Sequence, residues 1–329
     1  MRRPGSSNGE APIVLVTFPD YDVEGPEHGG AFAAAGIDVR IAAKRGARTT
    51  DELVALCHDA AGAIASTDPF TREVLRDCPG LRVIARVGVG IDSIDAAAAT
   101  EMGVAITITP GSNDASVADH TLAMILAMLR RIPANDVATR KGEWNRTGPH
   151  TPLQLAGSTV GLVGYGRIGR QVARRLDGFD VEILVADPLL DDSDPRAAAL
   201  DDLLGRSDIV SLHCPLIPAT HHLIDDAALR LMQPHAILVN TARGGVVDEA
   251  ALVRALDHGV IAGAAIDAFE VEPPIGSPLM AMSNVIVSPH VGGLSTTSIV
   301  EMTRRATASV IDVLQDRVPD GLANPEIFD

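Results

Sequence analysis

The sequence predicts an α/β protein built from two doubly wound parallel-sheet domains. Short apolar runs alternate with helical segments along the whole chain, which is the pattern of parallel strands connected by helices. Hydrophobic residues make up 46% of the chain but aromatic residues only 3%, so the cores consist mainly of Ala, Val, Leu and Ile. That composition suits strands buried on both faces. At 329 residues the chain is long enough for two domains, each with its own core.

The first half of the chain predicts a small doubly wound sheet. Its strands are short apolar runs, which cover residues 13–17, 39–42, 62–65, 81–86 and 104–107. Helices are predicted between them, over residues 29–35, 50–57, 71–78 and 95–102. A longer amphipathic helix runs from Ala115 to Arg131, before Pro133, and is long enough to cross between domains. We therefore place a domain boundary just before this helix, after residue 109.

The second half predicts a second parallel sheet. Its strands cover residues 159–163, 181–187, 208–213, 236–240, 262–266 and 285–288, and its helices 171–176, 200–204, 223–232 and 249–256. A last long helix over residues 297–314 is expected to return to the first domain. The resulting division is a first domain of residues 12–109 and 291–329, a second domain of residues 110–290, and a disordered polar leader over residues 1–11.

Residues 133–157 show little periodicity and predict an irregular arm of the second domain. They contain Trp144, the only Trp of the chain. A long irregular segment with a large aromatic residue is typical of an oligomer contact or an interdomain arm. The alternative is that Trp144 packs onto its own domain.

A glycine-rich turn, Gly164-Tyr-Gly-Arg-Ile-Gly169, lies between a predicted strand and a predicted helix. This is the context that the dinucleotide fingerprint of a Rossmann domain requires. Gly164 permits the tight turn, Gly166 lets the backbone approach a pyrophosphate, and Gly169 lets helix and strand pack closely. The helix N-terminus offers unpaired N–H groups to that pyrophosphate. The same loop carries three further cofactor-binding candidates, Tyr165, Arg167 and Ile168.

Asp187 ends the next strand, roughly 20 residues beyond the glycines, where a carboxylate can bind the ribose hydroxyls of adenosine. The alternative is a structural turn followed by a surface Asp. No Arg or Lys follows Asp187 for several residues, whereas Asp191, Asp192 and Asp194 do. These carboxylates would repel a 2′-phosphate, so the sequence predicts NAD and not NADP.

Composition argues against several classes of protein. The net charge of −16 disfavours nucleic acid and anionic membranes as partners. Cys57, Cys78 and Cys214 are scattered and odd in number, which indicates free thiols in a reducing compartment and no metal site. The longest apolar stretch, residues 121–129, is too short to span a bilayer, and residues 1–12 lack the apolar core of a signal peptide. We expect a soluble, cytoplasmic protein.

Three strand ends in the second half carry the residues for a chemical reaction. Arg243, Glu272 and His290 each follow a different predicted strand, and parallel strands end at one edge of a sheet. A bidentate Arg can hold a carboxylate and polarise the adjacent carbonyl. A His can donate the proton that balances an arriving hydride, and a paired carboxylate favours its charged form. The alternatives are a surface ion pair for Arg243, a solvated loop acid for Glu272 and a loop histidine for His290.

Two further turns lie at strand ends. In Val87-Gly-Val-Gly-Ile-Asp92, the backbone N–H groups of Val87, Gly88 and Val89 could form a nest for a carboxylate, the alternative being a simple strand–helix turn. The segment His213-Cys-Pro-Leu216 could line the cofactor pocket. Cys214 has no basic partner nearby in sequence, so we do not expect a nucleophile there. Asp119 and His120 either face the cleft or cap a turn, and the sequence leaves this open.

On these residues the chain resembles the D-isomer-specific 2-hydroxyacid dehydrogenases across nearly its whole length. The resemblance rests on the glycine fingerprint, Asn240-Thr-Ala-Arg-Gly-Gly245, Glu272-Pro273 and Ser288-Pro-His-Val-Gly-Gly293. It implies that Arg243 anchors the substrate, that Glu272 and His290 form the acid–base pair, and that Asp267 lies near the cofactor carboxamide. The turn at 87–92 matches the family's substrate-carboxylate loop. The other cofactor-lining candidates within these motifs are His213, Cys214, Pro215, Thr241, Ala242 and Gly292.

The resemblance also implies a flavodoxin-like substrate domain, closed by the C-terminal helix, and a homodimer formed through the cofactor domain and the 133–157 arm. Within the family, the phosphoglycerate dehydrogenases and the glyoxylate/hydroxypyruvate reductases look nearest. Phosphoglycerate dehydrogenases usually carry an Arg-Ser pair, suited to a phosphate, where this chain has Ala65-Ser66, and the chain ends at Asp329 without a regulatory domain. A phosphorylated substrate is therefore not expected. Glu272 argues against the formate dehydrogenase branch, which has Gln there.

The sequence thus predicts an NAD-dependent oxidoreductase that interconverts a small 2-keto acid and its D-2-hydroxy acid. A second hypothesis, from another class, is an NAD(H)-sensing interaction protein resembling the C-terminal-binding corepressors, which share the fold and the three site residues. Those proteins carry an aromatic-containing segment after the catalytic His, where this chain has Val291-Gly-Gly293.

Overall fold

The computed structural model describes residues 11–44, 48–144, 146–148, 151–191 and 193–329. The chain divides into two compact units, one containing the residues up to Asn113 together with Ser295–Asp329, the other Asp114–Leu294. The junctions follow residues 113 and 294, where the sequence suggested 109 and 290. Apart from Ala11, the expected leader lies outside the described residues.

The first unit contains a five-stranded parallel sheet. Its strands are β1 (Ile13–Val16), β2 (Asp38–Ile41), β3 (Gly62–Ala65), β4 (Val83–Arg86) and β5 (Ala105–Thr107). They lie in the order β2-β1-β3-β4-β5, which is the flavodoxin-like order. The helices between them are α1 (Gly29–Ala34), α2 (Thr50–Cys57), α3 (Arg72–Asp77) and α4 (Ala96–Glu101). Side-chain caps begin three of these helices, from Thr49, Thr71 and Asp95.

The second unit contains a six-stranded parallel sheet. Its strands are β6 (Thr159–Val163), β7 (Glu182–Ala186), β8 (Ile209–Leu212), β9 (Ile237–Asn240), β10 (Gly263–Ile266) and β11 (Val285–Val287). Its helices are α5 (Asp114–Leu129), α6 (Ile132–Arg140), α7 (Arg167–Leu176), α8 (Leu200–Arg206), α9 (Asp226–Leu231) and α10 (Glu249–Asp257). The order β11-β10-β9-β8-β6-β7 changes winding direction between β6 and β8, which opens a crevice at their carboxyl ends. The predicted fold class of two doubly wound parallel sheets is confirmed.

The last helix, α11 (Thr296–Leu314), belongs to the first unit. Its buried residues Met302, Ala306, Val310 and Val313 join a core cluster with side chains of β1 and β4. Hydrogen bonds tie it to the loop after β1. Tyr21 Oη lies 2.7 Å from Thr307 Oγ1, and His28 Nε2 lies 2.9 Å from Thr303 Oγ1. Each sheet of the molecule is thus covered by apolar side chains from its own unit.

The arm predicted as irregular over residues 133–157 begins with a helix, α6. Pro133 in its first turn suits a helix start, and Asp136 pairs with Arg140 one turn later. None of its residues is buried, so α6 has no apolar stripe, and hydrophobic periodicity could not reveal it. Trp144 is 75% exposed, so the interpretation that it packs onto its own domain is wrong. Asn145, Pro149 and His150 of the arm lie outside the described residues.

Candidate active site

The glycine loop between β6 and α7 is held by close backbone contacts. Gly164 has φ +97°, and a Cβ there would lie 2.7 Å from the backbone nitrogen of Cys214. A Cβ on Gly169 would lie 2.3 Å from the carbonyl oxygen of Gly164. Both positions therefore require glycine. The loop passes directly beside the end of β8, at the crevice where the sheet changes winding direction.

Gly166 is the N-cap of α7 and faces open space. A Cβ there would meet no atom within 4 Å, so the missing side chain leaves open space beside the N-terminus of α7. The first amides of a helix have no partner inside the helix, and they lie at the positive end of its dipole. Arg167 opens α7, and its Nε donates to Asp114 Oδ2 at 2.7 Å. The loop therefore fits the pyrophosphate of a dinucleotide.

Asp187, the predicted ribose-binding residue, lies at the end of β7 beside the glycine loop. Its carboxylate accepts the backbone N–H of Tyr165 at 2.5 Å and that of Leu189 at 2.8 Å, which ties the end of β7 to the glycine loop. The carboxylate lines a cavity of about 260 Å³. The other residues around this cavity are Tyr165, Gly166, Arg167, Arg170, Leu189 and Leu190.

Two arginines flank Tyr165 beside this cavity, and the sequence did not reveal them. The guanidinium carbons of Arg170 and Arg196 each lie 4.8 Å from the ring centroid of Tyr165, and Arg196 also donates to its hydroxyl. Hydrogen bonds from Arg196 lower the pKa of Asp194 to about 2, so this pair is ionised. The absence of basic residues just after Asp187 thus does not make the surroundings purely acidic. The prediction of NAD over NADP therefore rests on the Asp187 carboxylate itself.

His213 and Cys214, at the end of β8, border the glycine loop. Burial lowers the pKa of His213 to about 4, so its imidazole is neutral at neutral pH. Its Nε2 lies 3.0 Å from Ser211 Oγ, and its Nδ1 is buried without a hydrogen-bond partner among the described residues. An orphaned buried nitrogen is unusual and fits a segment that borders a ligand. Burial raises the pKa of the Cys214 thiol to about 11, which agrees with the expectation that it is not a nucleophile.

Arg243 follows β9 in a loop shaped by Asn240. The Asn240 side chain donates to the Arg243 carbonyl at 2.9 Å and accepts the Ala242 N–H at 3.0 Å. The next residue, Gly244, lets this loop approach the one after β10, because a Cβ there would lie 1.9 Å from the carbonyl carbon of Phe269. The Arg243 loop and the Glu272 loop therefore contact each other through their backbones.

Glu272 and His290 form the predicted pair. Nδ1 of His290 lies 2.8 Å from both carboxylate oxygens of Glu272. Burial raises the pKa of Glu272, but the hydrogen bonds from His290 and the Phe269 amide, with the charge of Arg243, hold it below its ordinary value. Glu272 is therefore ionised at neutral pH and accepts the Nδ1 proton. Nε2 has no hydrogen-bond partner within the described part of the chain, and the His290 side chain is 37% exposed, so Nε2 is available to a substrate.

The backbone of His290 is left-handed, with φ +53°. This conformation is uncommon for a residue other than glycine and costs on the order of 1–3 kcal/mol, so the surroundings must hold it. Asp267 provides several of the hydrogen bonds that stabilise this backbone conformation. Its carbonyl accepts the His290 N–H at 2.9 Å, and its carboxylate accepts the N–H groups of Val291 at 3.0 Å and Gly292 at 2.9 Å.

Several predicted cofactor-binding residues have their polar groups occupied inside the chain. Asp267 is 1% exposed, and both of its carboxylate oxygens have partners. The Gly292 carbonyl accepts a hydrogen bond from the Ser116 hydroxyl at 2.8 Å, and Thr241 Oγ1 lies 2.8 Å from Thr121 Oγ1. Ala242 is partly exposed and Pro215 exposed, at the ends of β9 and β8. Cofactor contacts of these residues stay predictions.

The predicted carboxylate loop lies in the first unit, directly after β4. The N–H of Val87 donates to Ala65 O at 2.8 Å, and that of Gly88 donates to Thr109 Oγ1 at 3.1 Å. These two amides are therefore not free to bind a carboxylate, which corrects the prediction of a nest from Val87 and Gly88. The amide of Val89 has no hydrogen-bond partner among the described residues and stays a candidate. Arg86 holds the loop, with Nε donating to Gly90 O at 3.0 Å.

Comparison with known proteins shows close similarity to one family. The model of the NAD-binding domain of D-isomer specific 2-hydroxyacid dehydrogenases matches residues 122–292. The chain is 42% identical over 281 residues to a glyoxylate reductase of Thermofilum pendens, covering 80% of each chain. It is 40% identical over 292 residues to a D-3-phosphoglycerate dehydrogenase of Mycobacterium tuberculosis, covering 84% of this chain and 55% of that protein. The chain thus spans about half the length of that second relative.

The fold is similar to a solved structure of D-lactate dehydrogenase from Aquifex aeolicus complexed with NAD and lactic acid. The TM-score is 0.82 at 27% sequence identity, and the match covers 95% of this chain and 99% of the other.

Proposed function

We propose that this chain, which belongs to the D-isomer specific 2-hydroxyacid dehydrogenase family, reduces a small unphosphorylated 2-keto acid to its D-2-hydroxy acid with NADH, and catalyses the reverse oxidation. The observation that carries the site assignment is the His290–Glu272 pair. Both carboxylate oxygens of Glu272 hold Nδ1 of His290, and Nε2 remains available beside the Arg243 loop.

The bound cofactor supplies the hydride for reduction or accepts it for oxidation. His290 Nε2 donates the proton that the carbonyl oxygen takes up during reduction, and the ionised Glu272 stabilises the protonated imidazole. In the reverse direction the same nitrogen accepts the hydroxyl proton. Arg243 holds the substrate carboxylate and orients the adjacent carbonyl. The glycine loop and Asp187 hold the pyrophosphate and the adenosine ribose.

Among substrates, glyoxylate and similarly small keto acids are favoured over phosphorylated ones. The relative of matching length is a glyoxylate reductase, and Ala65-Ser66 stands where an Arg-Ser pair would suit a phosphate. The three free cysteines favour a reducing compartment, and we assign the protein to the cytoplasm. No helix in the described part of the chain is long and apolar enough to cross a membrane. No observation favours the NAD(H)-sensing alternative.

The test is an assay of NADH oxidation, monitored as the loss of NADH absorbance. The keto acids to be tried are glyoxylate, hydroxypyruvate, pyruvate, phenylpyruvate and 2-ketoglutarate. We expect turnover of at least one small keto acid and formation of the D-hydroxy acid, identified by chiral chromatography. A folded protein that binds NADH but reduces none of these acids would contradict the proposal.

Replacing Asp187 with Ser is expected to weaken NADH binding and strengthen NADPH binding, each roughly tenfold. The substitution removes the acceptor for the ribose hydroxyls and the negative charge that repels a 2′-phosphate, and tenfold corresponds to about 1.4 kcal/mol. Titration of cofactor fluorescence gives both Kd values. Asp191→Ser, at an exposed acid of the same stretch, is the matched control and should change neither value by much. A wild-type preference for NADPH would overturn the role of Asp187.

We further propose a homodimer formed through α6 and the segment after it. Four large apolar side chains of this region are more than half exposed, namely Ile132, Val137, Trp144 and Leu153. Large apolar side chains left this exposed are typical of a subunit interface.

The double substitution Val137→Glu and Trp144→Glu is expected to convert the dimer to a monomer, since it would bury two unpaired charges in the interface. Light scattering coupled to size-exclusion chromatography measures the change. Val318→Glu, at an exposed apolar residue of the first unit, is the control and should leave the dimer intact. A wild-type protein that is monomeric at micromolar concentration would rule the proposal out.

A further inference from the structure

A polar network centred on the buried Asp267 carboxylate lies beside the loop that presents His290. His120, on α5, places Nε2 2.9 Å from Ser288 Oγ and 3.4 Å from Asp267 Oδ1. Ser288 Oγ lies 2.5 Å from the same carboxylate oxygen. The Asp267 carboxylate in turn accepts the N–H groups of Val291 and Gly292. The network thus runs from α5, through Ser288 and Asp267, to the backbone directly after His290.

The direction of each hydrogen bond follows from the chemistry of the groups. An ionised carboxylate only accepts, so the single hydroxyl proton of Ser288 points to Asp267. The Ser288 oxygen is then an acceptor towards His120, and Nε2 of His120 must carry the proton that it donates. His120 therefore carries a proton on Nε2 and is a donor to this network.

Asp267 needs these donors because it is a buried charge. The residue is 1% exposed, and no Arg or Lys of the described chain forms an ion pair with it. Burial raises the pKa of Asp267, but hydrogen bonds from His120, Ser288 and the amides of Gly292 and Val291 bring it below its ordinary value. A buried carboxylate without such partners would take up a proton and lose an acceptor.

Packing leaves little freedom in this network. A Cβ on Gly292 would lie 2.9 Å from Asp267 Oδ2 and 3.3 Å from His120 Cδ2, so the loop rests directly on these two side chains. The other titratable groups nearby are already paired. His290 Nδ1 is bound to Glu272, and Asp119, the neighbour of His120 on α5, pairs with Arg175 at 2.6 Å.

We propose that His120 is a positioning residue for the acid–base histidine. By donating to Ser288, whose hydroxyl donates to Asp267, it keeps the buried carboxylate ionised, and the carboxylate fixes the Val291 and Gly292 amides that hold the left-handed backbone of His290. The consequence for catalysis rests on the proposed function of His290. The consequence for the loop itself does not.

The first measurement is amide hydrogen exchange of Val291 and Gly292 in the protein without substrate. His120→Leu removes the donor and should speed exchange of these two amides about tenfold or more, because they lose a charged acceptor. His120→Gln retains a side-chain N–H donor and should restore most of the protection. Asp119→Asn, the adjacent exposed acid on α5, is the matched control and should leave both amides unchanged.

The second measurement is steady-state kinetics of the same variants. His120→Leu should lower kcat roughly tenfold, since the loop that carries His290 is misplaced, while the KM for NADH changes much less, because the glycine loop and Asp187 are untouched. The acid limb of the kcat–pH profile should move to higher pH in this variant, because a carboxylate deprived of donors is protonated more easily. His120→Gln should recover both the rate and the profile.

Wild-type exchange rates at Val291 and Gly292 in folded His120→Leu, or no recovery with His120→Gln, would overturn the inference. If His120→Leu does not fold, the same exchange measurement is made on Ser288→Ala. Faster exchange of the two amides is expected in this variant, and unchanged exchange would contradict the inference. A wild-type protein that reduces no keto acid would contradict the proposed function alone, since the exchange measurement still tests the network.

Discussion

Replacing His290 with Gln is expected to lower kcat about 10²–10⁴-fold, the usual contribution of a positioned acid–base group. Gln can still donate one hydrogen bond to Glu272, so the loop keeps its main contact, but it has no proton to transfer at the substrate. The rate of NADH oxidation with the best keto acid measures the loss.

Two controls distinguish this chemical role from a structural one. NADH binding by the His290→Gln protein should match that of the wild type, because the glycine loop and Asp187 are untouched. His258→Gln changes an exposed histidine at the end of α10 and should leave kcat unchanged. A His290→Gln enzyme with near-wild-type kcat would exclude His290 as the proton donor.

Replacing Arg243 with Ala is expected to lower kcat/KM for the keto acid about 100-fold or more. A charged hydrogen-bonding partner of a desolvated carboxylate is worth on the order of 2–5 kcal/mol, of which about 2.7 corresponds to 100-fold. Most of the loss should fall on KM, if the guanidinium binds ground state and transition state alike, with a further loss in kcat from the misoriented carbonyl. Initial rates over a range of keto-acid concentrations separate the two.

A more specific test of Arg243 compares the rates with a keto acid and with its ester, which lacks the carboxylate charge. The wild-type enzyme should prefer the acid strongly, and Arg243→Ala should abolish most of that preference. Arg230→Ala, at a surface arginine paired with Asp226 on α9, provides the matched control. Equal losses for acid and ester would show that Arg243 does not bind the carboxylate.

The strands of both sheets could be predicted from sequence because parallel strands buried on both faces are short, continuous apolar runs. Helix α6 could not, since all of its residues are partly or fully exposed and it carries no periodic stripe. The convergence of Glu272 and His290 was predictable because each follows a predicted parallel strand, and the family resemblance implied that they pair. The structure adds that their strands, β10 and β11, are neighbours.

Contacts between side chains far apart in the chain could not be predicted from the sequence. His120 meets Ser288 across 168 positions, and nothing near His120 in the sequence distinguishes it from a turn cap. Arg196 reaches Tyr165 from beyond the acidic stretch that suggested a purely acidic pocket. The prediction that Val87 and Gly88 form a carboxylate-binding nest was wrong, because Ala65 and Thr109 accept hydrogen bonds from their amides. Only the three-dimensional pairing of β3, β4 and β5 shows this.

The position of α11 has a consequence for how the protein is made. The first unit takes its strands from the beginning of the chain and α11 from its end, whereas the second unit is one continuous stretch. A ribosome therefore delivers every residue of the second unit before it delivers the helix that covers β1 and β4. Until then Tyr21 and His28 lack their partners Thr307 and Thr303, and one face of the first sheet lacks the apolar side chains that α11 contributes to its cover. The unit begun first during synthesis is thus the one completed last.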